Sequence, residues 1–279
     1  MKKAIQIAYD RDFEKKCRIA HEAGFEHISV NFHDMTDRSA EAWAKAPETI
    51  LRILSENRLT CVQSHAYYYD LRLSAEITDE ERERDIRNAV RVTGEIGGKY
   101  CVYHPRTAVN DGYRSSAALE INKRTISGYL ECAVKADTSI ALENLPVFHG
   151  IVPVMPFYSS DYGDLIELYE ALKCENLAVC WDTGHANLMA FDQAKAVRAL
   201  GPRIRCTHLH NNFGMEDEHL PVDDGTVDWE SVMRAFRDIG YDGPLTLETH
   251  CRYADDALLS AFAAYNLEGL KYLERMAGA

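Results

Sequence analysis

The sequence predicts an α/β fold, a closed (β/α)8 barrel in which residues 1–279 form one domain. Three observations predict it. Short apolar runs alternate with longer amphipathic segments eight times along the chain, a pattern that calls for parallel strands joined by helical crossovers. No linker, low-complexity stretch or internal sequence repeat interrupts the series, so the units belong to one body. No Gly-x-Gly-x-x-Gly or phosphate-binding loop follows the first strand, which disfavours an open doubly wound sheet.

Taken in order, Lys3–Tyr9 alternates as the first strand. Asp12–Ala23 sets Phe13, Cys17 and Ala20 at helical spacing before Gly24 ends the helix. His27–Phe32 is the second strand, and Ser39 caps a helix over Glu41–Glu56 with Trp43, Ile50, Leu51 and Leu54 inward. Leu59–His65 is the third strand. A loop through Tyr67, Tyr68 and Tyr69 leads to a capping box of Thr78 and Glu81, which opens a helix that stops at Gly97-Gly98. Tyr100–Tyr103 is a strand ending on His104-Pro105, with a charged helix over Ser115–Lys135 behind it. Ile140–Leu142 ends on Glu143-Asn144, and an irregular loop with Pro146, Pro153 and Pro156 follows before Asp161 caps a helix to Leu172. The sixth strand starts at Leu177 and ends in Asp182-Thr-Gly-His185, where Gly184 permits a turn and Asp182 is either a cap or a ligand. A helix over Phe191–Leu200, a strand over Ile204–Leu209, a polar loop Asn211–Gly225 and a helix over Asp228–Ile239 come next. Pro244–Leu247 is the last strand, ending on Glu248, and Asp255–Met276 is the closing helix.

Composition excludes several function classes. A net charge of −13 argues against a nucleic-acid or acidic-membrane partner, because phosphate binding needs clustered Lys and Arg. Eight cysteines without a Cys-x-x-Cys pair give neither a disulfide framework nor a zinc knuckle. The first residues hold no continuous apolar leader, and no run reaches the ~18 apolar residues of a membrane span. The expected location is the cytoplasm, and a homo-oligomer is compatible with the sequence.

Chemistry concentrates at the strand ends. Strands three to six end in His65, His104, Glu143 and Asp182, each 39 residues after the last, and His208 and Glu248 on the seventh and eighth are 40 apart. In a barrel these side chains converge on the C-terminal mouth. Carboxylates gathered in a partly buried site repel each other, and a divalent cation resolves the conflict. Glu143, Asp182, His208 and Glu248 offer three oxygens and one nitrogen, a donor set suited to Mn²⁺ or Zn²⁺, and also to Mg²⁺ or Co²⁺. A second group, Asp217 and His219 with His185, can hold another metal or reach a substrate hydroxyl. Glu143 and Glu248, on nearly opposite strands, can flank a substrate as an acid/base pair. His65 and His185 can hold hydroxyls, and Tyr67, Tyr68, Tyr103 and Trp181 can wall a sugar ring. Arg106 is the basic residue best placed for a phosphate.

Five segments carry a resemblance: Ala141–Leu145, Cys180–Asn187, Thr207–Asn212, Asp217–Trp229 and Leu245–Glu248. Together the chain resembles the sugar phosphate isomerase/epimerase group of the xylose-isomerase-like TIM barrels. The resemblance implies a metal held by Glu143, Asp182, His208 and Glu248, the two glutamates acting as acid and base, and a substrate contact at His185. It implies a small-molecule sugar or polyol substrate. The chain departs from the ketose 3-epimerases of this group at two positions: Gly214 stands where they carry an Arg, and His149 where they carry a second Glu. The trinuclear-zinc endonuclease IV is similar in its ligand types, which map onto His65, His104, Glu143, Asp182, His185, His208, Asp217, His219 and Glu248. The inosose dehydratases are further relatives that use a divalent metal.

Overall fold

The computed structural model describes residues 1–68, 79–107, 115–146, 157–251 and 255–278. Eight strands alternate with helices: β1 Lys3–Ala8, α1 Phe13–Ala23, β2 His27–Asn31, α2 Ala40–Glu56, β3 Thr60–His65, α3 Asp79–Glu95, β4 Tyr100–Tyr103 and α4 Ser115–Lys135. The second half continues with β5 Ser139–Glu143, α5 Tyr162–Leu172, β6 Leu177–Asp182, α6 Thr183–Leu188, α7 Gln193–Leu200, β7 Ile204–His208, α8 Trp229–Asp238, β8 Leu245–Leu247 and α9 Asp256–Gly278. All ladders are parallel, in the order β7-β6-β5-β4-β3-β2-β1-β8. A bridge between Leu209 and Leu247 joins the two ends, and the sheet is the predicted (β/α)8 barrel.

Local chemistry sets the element ends. The Ser39 hydroxyl accepts from the Ala42 N–H at 3.2 Å, and the Asp161 carboxylate from Gly163 at 2.7 Å, each satisfying an orphan donor of a first helical turn. Gly24 closes α1 at φ 102°, a left-handed position that suits glycine. The proposed Thr78 cap, Tyr69, Pro153 and Pro156 lie outside the described residues.

One helix goes beyond the sequence reading. Asp182 is followed at once by α6, because its carboxylate Oδ1 accepts from the His185 N–H at 2.6 Å and caps that helix. The expectation that Gly184 serves a turn is corrected with it. Gly184 sits inside α6 without a positive φ. It must be glycine because an added Cβ would lie 1.9 Å from the His210 ring.

The main core lies between strands and helices, where Ile5, Ile28, Cys101, Ile140, Leu142, Val179 and Leu247 meet the inner faces of the helices. A smaller cluster of Val102, Ala141, Ala178, Cys180 and Cys206 fills the barrel itself. Tyr103 and Trp181 belong to the outer core, packed against Tyr129 and Phe191 respectively. They are not walls of the mouth, because strand side chains alternate and these two point away from the barrel interior. Among the described residues no helix is long and apolar enough to cross a membrane.

Candidate metal centre and active site

The strand ends bring all nine sequence-predicted residues to one mouth. Glu143, the last residue of β5, is fully buried. Its Oε1 lies 2.8 Å from His208 Nδ1, and its Oε2 lies 2.9 Å from His104 Nε2 and 3.1 Å from His65 Nε2. Glu248 reaches the same His208 Nδ1 from beyond β8, at 3.1 Å through Oε2. Asp182 Oδ2 stands 4.0 Å from that nitrogen. Each of Glu143, Asp182, His208 and Glu248 thus offers a ligand atom within 4.8 Å of all the others.

A second group adjoins the first. His185 Nε2 is 3.3 Å from Asp217 Oδ2, and His219 Nε2 is 3.2 Å from the same oxygen. His210 completes it, with Nε2 3.0 Å from Asp182 Oδ1 and its ring stacked 4.1 Å from that of His219. His65, His104 and Glu143 form a third group. The Asp182 carboxylate caps α6 and also faces His208 and His210.

Supporting contacts fix these side chains. Asn144 clamps the end of β6: its amide donates to the Asp182 carbonyl at 2.8 Å, and its Oδ1 accepts from the Asp182 N–H at 2.7 Å. The Asn144 carbonyl lies 2.9 Å from His185 Nδ1, which turns Nε2 toward Asp217. Gln6 of β1 donates to Glu248 Oε1 at 2.5 Å. His219 adopts φ 51° and places Nδ1 2.7 Å from the Glu248 carbonyl. Tyr68 and Tyr67 do reach this end, both stacked on His33, at 3.6 and 5.0 Å, with Tyr68 tilted against His104 at 4.7 Å. Arg106 is anchored through its main chain, whose N–H donates to Asn122 Oδ1 at 2.7 Å.

Electrostatics follow from this crowding. Burial alone would raise Glu143, but His208 and His104 outweigh it and hold the carboxyl well below its usual range. Burial opposes His208 and His219 at Glu248 with the same net result. His208 is held well above its ordinary value, against burial, by Glu248 and Glu143. Asp182 and Asp217 likewise overcome burial to raise His185. His219 rises to about 9 because Asp217 outweighs burial. His104 goes the other way, since burial there exceeds the pull of Glu143.

The residues fit a divalent cation. Three buried carboxylates converge with no Lys or Arg ion-paired to them among the described residues. The groups that face them are imidazoles, which a metal can use as ligands in place of any protons they carry. Asp217 Oδ1 in the second group is buried without a hydrogen-bond partner, which polar atoms in a finished interior rarely are. Sequence reasoning gave no role to His210, Gln6 or Asn144. His210 stands two residues beyond His208 on the same face, and Gln6 is a polar residue inside an apolar strand; both were readable from the period of two.

A family model described as a xylose isomerase-like TIM barrel matches residues 17–275. The chain belongs to this family. An uncharacterized protein of Methanocaldococcus jannaschii is 32% identical over 173 residues, which are 58% of this chain and 55% of that one. The D-psicose 3-epimerase of Enterocloster bolteae is 24% identical over 153 residues, 54% of this chain and 46% of that one. The chain spans about half the length of these two relatives. The crystal structure of a D-tagatose 3-epimerase-like protein matches with a TM-score of 0.76 and 23% identity, covering 100% of this chain and 98% of the other. At that identity the likeness is one of fold.

Proposed function

We propose that the protein is a divalent-metal-dependent isomerase or epimerase of a sugar, sugar phosphate or polyol. The observation that carries this reading is the placement of two buried glutamates, from β5 and beyond β8, on either side of His208 Nδ1 at 2.8 and 3.1 Å. Glu143, Asp182, His208 and Glu248 would hold the ion, of the Mn²⁺ or Zn²⁺ kind. When bound, such an ion supplies Lewis acidity to a carbonyl and neutralises developing negative charge.

The chain's own residues do the rest. One of Glu143 and Glu248 takes the proton from the carbon next to the carbonyl. The other delivers one, to the opposite face for an epimerase or to the neighbouring carbon for an isomerase. Gln6, donating to Glu248 Oε1, fixes which oxygen faces the substrate. His65 and His104, both against Glu143 Oε2, orient that carboxylate and offer nitrogens to substrate hydroxyls. Tyr68, stacked on His33 beside His104, forms an aromatic wall. The sugar 3-epimerase names of the relatives support this class, while Gly214 and His149 point away from a free ketohexose as the substrate.

A second reading concerns the number of ions. The partnerless buried Asp217 Oδ1, with His185, His210 and His219 around it, favours a further cation in this group. A metal count on the purified protein, with thermal unfolding before and after chelation, tests both readings. One bound ion and a lowered Tm on chelation support the mononuclear enzyme, and two or three ions support the multinuclear one. No bound metal and an unchanged Tm overturn both. A screen of ketoses, aldoses and inososes with added Mn²⁺ then identifies the substrate.

A further inference from the structure

Strands β1 and β8 part company halfway along. They are hydrogen-bonded only from Lys3↔Leu245 to Ile5↔Leu247. Beyond that point Gln6–Ala8 stays with β2, as far as Ala8↔Asn31. The chain after Leu247 leans toward the opposite neighbour instead: the Glu248 N–H donates to the Leu209 carbonyl at 3.1 Å, and the His250 N–H to the His219 carbonyl at 3.2 Å. Paired strands lie about 4.8 Å apart and leave no room between them. Here the split leaves a cavity of about 250 Å³.

The chemistry of the cavity is two-sided. Ile7 of β1, Ile19 of α1, and Leu259, Phe262 and Ala263 of α9 give it an apolar lining. Asn31, Asp34 and Glu248 are in the same lining. Glu248 therefore belongs both to the acid/base pair and to this cavity.

We infer that the cavity is a binding subsite for an apolar substituent of the substrate, such as the alkyl or aryl group of a sugar ether that keeps its carbonyl. The inference rests on the sugar or polyol reading above. An apolar cavity of roughly 150 Å³ accepts a benzene ring, so about 250 Å³ has space for a phenyl group or a short alkyl chain. A free hexose bears oxygen on every carbon. Pressing its hydroxyls against Ile19, Leu259 and Phe262 without partners would cost about 1–3 kcal/mol for each group. The sugar hydroxyls instead meet Asn31, Asp34 and the mouth, and the apolar group enters the cavity.

The test compares binding of 6-O-methyl-D-fructose, 6-O-benzyl-D-fructose and benzyl alcohol to the full chain, by calorimetry and by amide chemical shifts, with and without Mn²⁺. The benzyl ether binds at least tenfold tighter than the methyl ether if the inference holds. Ala263→Phe, or the milder Ala263→Leu, fills the cavity and removes most of that advantage while binding of the methyl ether stays within twofold. Thermal unfolding verifies that either variant is folded. Equal affinities for the two ethers overturn the subsite and leave the polyol reading standing. Benzyl alcohol binding with neither ether bound overturns the placement of a sugar beside the cavity, and the inference with it. No binding of the benzyl ether or of benzyl alcohol overturns the cavity as a ligand site.

Discussion

Two rungs of the same barrel interior, two residues apart, are built from opposite chemistry. The lower rung holds Val102, Ala141, Cys180 and Cys206, all fully buried and packed on one another. The next inward position on the same four strands holds His104, Glu143, Asp182 and His208. Side chains two apart share a face of a strand, so the apolar rung is a floor directly beneath the charged one. The floor contributes stability by burial. The upper rung adds no apolar burial, and its buried carboxylates are tolerated only when protonated, paired or ligated. The difference teaches how one short strand serves both ends: packing below fixes the positions at which chemistry stands above.

The sharpest way to break this division is Glu248→Gln. General acid–base groups contribute about 10²–10⁴-fold, so turnover of an identified sugar should fall by about 10³-fold, with the circular dichroism spectrum unchanged. Persistent turnover would remove Glu248 from the acid/base pair. Loss of the fold instead would mean that the upper rung carries stability after all.

The next effect lies on the outward face of β6. Trp181→Ala should destabilise by about 3–5 kcal/mol, the usual cost of deleting a buried Trp, because Trp181 is fully buried in the outer core. KM should not move in the folded fraction, and Trp181→Phe offers a milder version if the alanine variant does not fold. A raised KM at unchanged stability would return Trp181 to the sugar wall.

Gly184→Ala probes the junction of the two groups of ligands. The new Cβ meets the His210 ring, and overpacking of this kind costs about 1–3 kcal/mol, more than the gain of up to about 1 kcal/mol from replacing a helical glycine. Chemical denaturation should show the net loss. An unaltered stability would mean that His210 is free to move aside.

Most of this arrangement was legible because the barrel repeats. His65, His104, Glu143 and Asp182 recur at a constant interval, and that interval is the length of one strand–helix unit. What was not legible depends on distances between units. Gly184 looked like a turn residue, since nothing local announces that His210 from the next strand will press against it. Trp181 looked like a wall because its neighbour Asp182 faces the mouth, although adjacent strand residues face opposite ways. The cavity beside Glu248 arises where β8 stops pairing with β1, which no property of either strand alone predicts.

The smallest effect lies at the other end of β1. Lys3 Nζ is 2.6 Å from Glu274 Oε2 of α9, a pair about a third exposed on the acid side. It is the same attraction of cation and carboxylate that binds the mouth together, but in water. Lys3 holds the Glu274 carboxyl below its usual range. A carboxyl depressed in the folded state contributes stability above its unfolded pKa of about 4.3, and that contribution is lost as the pH falls through the lower folded value. Glu274→Gln should therefore cost less than about 1 kcal/mol at neutral pH, less in high salt, and less again at pH 3. Urea titrations of both proteins at the two pH values measure it. A cost unchanged at pH 3 would come from packing of the side-chain stem. A cost that falls would show that solvent, rather than the chemistry of the pair, separates a minor contact at this end of the barrel from the charged rung at the other.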